Sequence, residues 1–242
     1  MILDASQFAF EAPTAISRAR RVLIKPCAVY PSPYPVSTSP ELLGKIIQGI
    51  RKVSDADIVI LEGTPDGSPV QSIYQALKYH FPRVLMLDVK DSIWVEVENP
   101  LTKPLMVPTF WVPNVILSSD YLIVVTPLKI MKSQPHLTLM NLLSLLPSNK
   151  YTSKHGWDML YSLGMEKVIA DLYFTLPFDL GIIEGRQIFT GDGDDPTKGK
   201  SEDYGKIFVG EPFQVDSEVA DFLNLKAEYL DLIKVARVGL ET

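Results

Sequence analysis

Short runs of Val, Ile and Leu alternate along the chain with longer segments in which apolar residues recur at helical spacing. Short runs without polar positions are typical of strands buried on both faces, and their alternation with helices favours a parallel sheet. We therefore predict one α/β domain over residues 1–242, with a mostly parallel sheet and helices on both faces. The predicted strands are residues 22–24, 58–61, 84–87, 122–125, 180–183 and 207–209.

Five segments between and after these strands have the helical period, at residues 42–53, 68–80, 137–146, 165–176 and 216–240. The first is the clearest, because Thr38 and Glu41 have capping-box spacing and Pro40 lies in the first turn. Residues 92–113 differ, since apolar and acidic positions alternate from Trp94 to Glu98 and four prolines follow. We expect a short antiparallel insertion there.

Composition narrows the classes of function. The formal charge is −6, and the chain has no basic block beyond Arg18, Arg20 and Arg21, so we predict no nucleic-acid partner. The single Cys27 cannot form an internal disulfide or hold an iron–sulfur cluster, which favours a reducing, cytoplasmic location. No apolar run approaches the length that crosses a bilayer, and the first residues do not form a secretion signal, so we predict no membrane partner.

Charged residues follow the predicted strands, at Lys25, Glu62, Lys129, Glu184 and Glu211. Open parallel sheets bind ligands beyond the carboxyl ends of their strands, so this is where a site is expected. A charge is also normal wherever a buried strand reaches solvent. The lysines and carboxylates together are compatible with an anionic ligand, a divalent cation, or mutual neutralisation.

Two further groups of residues are candidates beside this edge. His136 and His155 flank the segment after Lys129, and residues 191–200 form a glycine- and acid-rich loop. The loop lacks the ligand spacing of a calcium site, which favours a solvated loop over a metal site, and we expect it to cover the crevice. We predict no metal-ligand set, and a divalent cation is the one candidate cofactor.

In order and spacing, the motifs resemble the domain of unknown function 362 family over about residues 21–223. The elements that carry the resemblance are Val22 to Pro26, Thr38–Ser39–Pro40–Glu41, Ser119–Asp120, Lys129, Thr138, Asn141, His155, Ile169 to Leu172, Pro177, Asp179, Ile183–Glu184–Gly185, Gly191, Gly193, Gly210 and Asp216. The resemblance implies that Asn141, His155, Gly191, Gly193 and Asp216 bind the ligand. This chain departs from the family pattern at Cys27, Met131, Met140, Glu184 and Asp194, and the methionines replace a usual His and Lys.

Three hypotheses follow, and the last of them is a degenerate, purely structural homologue of the family. The first is a site for a small anionic molecule, compatible with an enzyme. Lys25, Lys129 and Glu184 are its catalytic candidates: the lysines hold the anionic group, while Glu184 and Asp216 orient a proton or an ion. The second is a non-catalytic accessory partner of an iron–sulfur protein, because longer family members carry such a module, while this chain can hold no cluster. It predicts an exposed apolar patch over Trp94, Phe110 and Trp111, and exposed aromatic residues there are compatible with a homodimer.

Overall fold

The structure is a computed structural model that describes residues 1–154 and 156–240. Its strands are β1 Ile2–Asp4, β2 Arg21–Lys25, β3 Asp57–Glu62, β4 Val84–Asp88, β5 Trp94–Glu98, β6 Thr109–Pro113, β7 Tyr121–Met131, β8 Gln134–His136, β9 Leu180–Gly191 and β10 Lys200–Gly210. Within the described residues, eight strands form one sheet in the order β1–β10–β9–β7–β2–β3–β4, with β8 paired to β7. Strands β9, β7, β2, β3 and β4 are parallel, which confirms the predicted mostly parallel sheet.

Helices cover both faces of this sheet, as predicted. They are α1 Pro40–Arg51, α2 Val70–Ala76, α3 Asn114–Leu117, α4 Thr138–Asn141, α5 Ser148–Tyr151, α6 Asp158–Ser162, α7 Met165–Thr175, α8 Pro212–Phe222 and α9 Glu228–Leu240, with 3₁₀ turns at Thr14–Arg18, Val89–Asp91 and Leu142–Leu145. Helices α1 and α2 pack on one face, and α7, α8 and α9 on the other. In the described part of the chain, no helix is long and apolar enough to cross a membrane.

The alternation of side chains along β2 shows how the two layers form. Leu23 packs with the layer of α7 and α9, whereas Val22 and Ile24 pack with the layer of α1. All three side chains are fully buried, because a strand in the middle of a sheet covered on both sides has no solvent-facing position. This explains why the sequence shows a continuous apolar run there.

The insertion predicted at residues 92–113 is confirmed as a hairpin. Strands β5 and β6 pair antiparallel to each other, from Trp94 opposite Pro113 to Glu98 opposite Thr109, and they do not join the large sheet. One face of the hairpin packs on the core, where Phe110 and Val112 are fully buried.

Three local expectations are corrected. The helix cap of α1 is Ser39, whose Oγ accepts from the Leu42 backbone N–H at 3.1 Å, one residue later than the capping-box pattern indicated. The segment predicted as one helix over residues 216–240 is two, because the backbone turns at Asn224, where φ is +51°. Strand β10 runs antiparallel to β9, so Glu211 lies at the opposite edge of the sheet from the other predicted strand ends and caps α8 through the Gln214 backbone N–H at 3.0 Å.

Asp171 attaches the connection between β5 and β6 to helix α7. Its carboxylate is fully buried and accepts from the backbone N–H groups of Leu105, Met106 and Val107, at 2.9, 2.7 and 2.8 Å. It also accepts from the Asn99 side-chain amide at 2.8 Å. A buried backbone donor without an acceptor costs free energy, so one carboxylate stabilises an otherwise irregular segment.

We predict that Asp171→Ala lowers the free energy of unfolding by about 3 kcal/mol or more, because several buried donors lose their acceptor at once. Urea denaturation followed by circular dichroism measures this. Asp221→Ala removes an exposed carboxylate from α8 and should change stability by no more than about 0.5 kcal/mol. Equal stability losses in the two variants would contradict this role of Asp171.

Candidate functional site

At the carboxyl ends of β2 and β3, Lys25 and Glu62 form an ion pair that is inaccessible to solvent. Lys25 Nζ lies 2.8 Å from Glu62 Oε1, and both side chains are 0% exposed. Lys25 Nζ also donates to the Pro26 carbonyl at 2.6 Å and to Asn141 Oδ1 at 3.0 Å. The three donors of this ammonium group therefore have three acceptors, which a buried charge requires.

Glu62 is equally well satisfied. Its Oε2 accepts from the Ala28 backbone N–H at 2.7 Å, and its Oε1 accepts from the Gly63 N–H at 3.0 Å and from Ser144 Oγ at 2.6 Å. Gly63 must be a glycine for a steric reason, because a Cβ atom there would lie 2.5 Å from the Ser144 carbonyl oxygen. The ion pair thus joins two strands to the segment that follows α4.

Asn141 lies beside the ion pair, and these three residues, Lys25, Glu62 and Asn141, form the floor of the site. Its Nδ2 donates to the carbonyls of Pro26 and Val125, both at 3.2 Å, while its Oδ1 accepts from Lys25. The side chain lines a cavity, but all of these amide contacts are with the protein. The ligand-binding role predicted for Asn141 stays a prediction. In this geometry, the Asn141 side chain holds the residues of the floor in position.

Above this floor lies a cavity of about 520 Å³. Its walls come from the ends of β7 and β8, from the segments after β2, β8 and α5, from the start of α7, and from the connection between β9 and β10. The apolar lining residues are Val29, Pro65, Met131, Leu137, Met140, Leu143, Trp157, Met165 and Pro196, with Tyr30 and Tyr161 nearer solvent. A volume of this size is typical of sites that hold a small organic molecule.

Lys129 is a buried cation that lines this cavity. Its side chain is only 5% exposed, and its Nζ makes one long contact, 3.4 Å to the Val36 carbonyl oxygen. Among the described residues no carboxylate lies within 4 Å of it, unlike Lys25. A nearly buried ammonium group with so few partners is poorly compensated for its lost hydration.

His136 lies beside Lys129 in the antiparallel pairing of β7 and β8. Burial, and secondly the Lys129 charge, lower the pKa of His136 to about 4. The imidazole is therefore neutral at pH 7, with one donor and one acceptor nitrogen. Neither nitrogen has a hydrogen-bond partner among residues 1–154 and 156–240, although both belong to a side chain that lines the cavity.

The other charged residues of the cavity have partners. Lys132 forms an ion pair with Asp194, and the Glu166 carboxylate accepts from the Tyr229 N–H at 2.9 Å. Burial raises the pKa of Glu166. Lys132 and Asp194 are exposed at the entrance, so their ion pair contributes little stability.

The acid-rich loop does lie against the cavity, through Gly193, Asp194 and Pro196. Its Asp195 accepts from the backbone and hydroxyl of Thr197, and this makes a local turn. Gly191 has a packing role, since a Cβ there would lie 2.6 Å from the Met131 side chain. Closure of the loop over a ligand stays a prediction.

Glu184 lies away from the cavity, on the α1 side of the sheet. It accepts from the Ser39 N–H at 3.0 Å, from Ser39 Oγ at 2.6 Å and from Arg186, whose guanidinium also contacts Glu41. Burial raises the pKa of Glu184, against these donors. The predicted meeting of Lys25, Lys129 and Glu184 around one cleft is therefore not found, because only Lys129 lines the cavity.

Asp216 holds the start of α4. It is fully buried and accepts from the Thr138 N–H and Oγ, at 3.0 and 2.5 Å, from the Leu139 N–H at 3.0 Å and from the Tyr229 hydroxyl at 3.2 Å. Burial raises its pKa to about 7, although these donors favour the carboxylate. Asp216 does not line the cavity.

His155 lies outside the described residues. Within them, no three His, Cys, Asp or Glu side chains are grouped so that they could hold a metal ion, and the candidate divalent cation stays a prediction. Trp157, Met165 and Glu166 line the cavity although the sequence analysis did not single them out. Met165 and Glu166 only begin a predicted helix, and Trp157 belongs to no predicted element.

The apolar patch expected over the insertion is not present as described. Phe110 is fully buried, the Trp94 indole donates to the Val89 carbonyl at 2.6 Å, and Lys150 lies over the Trp111 ring at 4.0 Å. These three aromatic residues therefore do not form one exposed surface. An iron–sulfur partner and a homodimer stay untested predictions.

We predict that Lys25→Met lowers the free energy of unfolding by about 3–5 kcal/mol, because it leaves the Glu62 charge buried without its counter-ion. The double variant Lys25→Met, Glu62→Gln should lose less than the sum of the two single variants, since neither charge remains. Urea denaturation of the three variants measures the coupling. Lys103→Met, at an exposed position, is the control, and additive losses would contradict a coupled pair.

We also predict that Lys129→Gln raises the pKa of His136, because a neighbouring positive charge is removed. The pKa should stay below 6.5, since burial is the larger cause of its depression and persists. Titration of the imidazole resonances by NMR, assigned with His136→Asn, measures the pKa. Lys132→Gln should leave it unchanged, and an identical His136 pKa in wild type and Lys129→Gln would contradict the proximity of the two groups.

In fold, the chain is similar to a solved structure, the lactate racemase apoprotein from Thermoanaerobacterium thermosaccharolyticum. The two chains have 12% sequence identity and a TM-score of 0.54, over 90% of this chain and 53% of that one. This chain therefore spans about half the length of the racemase, and the likeness shows a shared α/β fold. No curated protein matches the sequence.

The sequence also matches a family model. Residues 22–221 match the model of a domain of unknown function, DUF362, and this range contains the Lys25–Glu62 ion pair and all the residues that line the cavity. Because the matched range covers most of the chain, the protein belongs to the DUF362 family.

Proposed function

We propose that the cavity binds a small organic acid whose carboxylate contacts Lys129. The observation that carries the proposal is the contrast between two buried lysines of one sheet. Lys25 has three acceptors, including a carboxylate, whereas Lys129 has a single acceptor at 3.4 Å and lines an open cavity. A ligand carboxylate would give Lys129 the counter-ion that the described residues do not provide.

The charges of the cavity favour a ligand with one negative charge. Lys132 is already paired with Asp194, and Glu166 and Asp194 would repel a group of higher negative charge. The neutral imidazole of His136 can donate one hydrogen bond to the same carboxylate, or accept one from a neighbouring hydroxyl. If the bound acid reacts, His136 is the cavity residue best suited to exchange a proton with it.

The likeness to a lactate racemase supports the choice of hydroxy acids as first probes. That protein is named for a small carboxylate, and its likeness to this chain is in the fold. Lactate and glycolate therefore form the initial set, with benzoate as an acid that lacks the hydroxyl group and the uncharged amides as controls for the carboxylate.

We expect the acids, and not the amides, to raise the melting temperature of the protein by mass action. Lys129→Gln should weaken binding of each acid about 10- to 100-fold in calorimetric titration, the loss typical of a charge-assisted hydrogen bond. Lys132→Gln removes the same charge at the entrance and should change affinity by about twofold or less, as expected for an exposed pair.

Equal affinity in wild type and Lys129→Gln would falsify the assignment of the carboxylate to Lys129. A melting shift caused by MgCl₂ alone, and abolished by Asp194→Asn, would favour the divalent cation instead. Circular dichroism of each variant separates lost binding from lost folding.

A further inference from the structure

The volume of the cavity is large for the smallest organic acids. Its 520 Å³ equals the liquid volume of about 17 water molecules, at roughly 30 Å³ each. An acid of about six non-hydrogen atoms, such as lactate, would leave most of this space to water. A ligand that fills the cavity has roughly two to three times as many atoms.

The wall beyond Lys129 and His136 is apolar. Met131, Leu143 and Trp157 are buried side chains of this wall, and Met140 and Met165 are half-buried beside them. Thioether side chains are unbranched and polarisable, so they pack against alkyl and aromatic groups of different shapes. Covering this wall with an apolar group is favourable in proportion to the area removed from water.

The polar groups of the same wall are already used within the protein. Ser144 Oγ donates to Glu62, the Trp157 indole donates to the Leu146 carbonyl at 3.2 Å, and the Asn141 amide contacts Lys25, Pro26 and Val125. These groups offer few hydrogen bonds to a polar substituent on the body of a ligand, that is, on the part of the molecule beyond its carboxylate. A hydroxylated or charged body would lose hydration without gaining hydrogen bonds.

We infer that the ligand is an amphipathic monocarboxylic acid, with an alkyl or aryl body of about 8–14 non-hydrogen atoms on the methionine and tryptophan wall. The inference rests on the proposed function for the position of the carboxylate. It adds the chemical class of the rest of the molecule, which the contacts of Lys129 alone do not specify.

The test is calorimetric titration with straight-chain monocarboxylates of increasing length, phenylalkanoates, and primary alcohols with the same bodies. Affinity for the acids should rise about fourfold per added methylene until the wall is covered, and then level off. Met140→Gln should weaken binding of the long acids about three- to tenfold while leaving lactate within twofold. Met159→Gln changes an exposed methionine outside the cavity and should have no effect.

The outcomes separate the two proposals. If all acids bind alike and Lys129→Gln weakens each of them, the proposed function stands and the amphipathic ligand is overturned. If affinity rises with length equally for acids and alcohols, and Lys129→Gln has no effect, the apolar body stands and the carboxylate contact is overturned. Should Met140→Gln unfold, Met165→Gln tests the same wall from α7.

Discussion

The buried ion pair of Lys25 and Glu62 is the constraint on which the site depends. Two charges removed from water stabilise a fold only when every donor and acceptor is matched, so the chain around them must adopt one arrangement. The acceptors come from the turn after β2 and from Asn141, and the donors come from Ala28, Gly63 and Ser144. The segment after α4 is therefore fixed to the ends of β2 and β3, and this creates the floor of the cavity.

A second buried carboxylate extends the same constraint. Asp216 binds the first backbone N–H groups of α4, so that α8 determines where this short helix begins. One end of α4 is thus held by Asp216 and the other by Asn141 and the ion pair, with Met140 between them in the cavity wall. Lys129, which also lines the cavity, has no comparable set of partners among the described residues. The buried charges of Lys25 and Glu62 therefore stabilise the floor, whereas the buried charge of Lys129 is suited to binding a ligand.

The layered fold could be predicted from the sequence. Each of the six apolar runs, and each helical pattern between them, can be recognised within one short segment of the chain. The sequence could not show the direction of β10, since residues 207–209 are apolar in a parallel or an antiparallel strand alike, and Glu211 was consequently expected at the wrong edge. The break at Asn224 was missed for a related reason, because apolar spacing continues on both sides of it. The cavity wall was only partly predicted, since Met165 has the same helical spacing as core residues and Trp157 lies in a segment without a predicted element.

The position of Glu184 shows why strand ends alone do not define a site. Side chains of a strand alternate between faces, and Glu184 lies opposite Ile207, on the α1 face with Ile182, whereas Lys25 shares the face of Leu23. Strands buried on both faces are apolar at every position, so the sequence does not reveal which face a charged end will reach. Lys129 adds a second difficulty, because the register between β7 and β9 shifts between Pro127 and Leu128. The unpaired residues lie in β9, where Glu184 pairs with Pro127 and Ile188 with Leu128, and the sequence does not show such a bulge. The neighbours of Lys129 across the sheet, and its approach to the cavity, therefore required the three-dimensional structure.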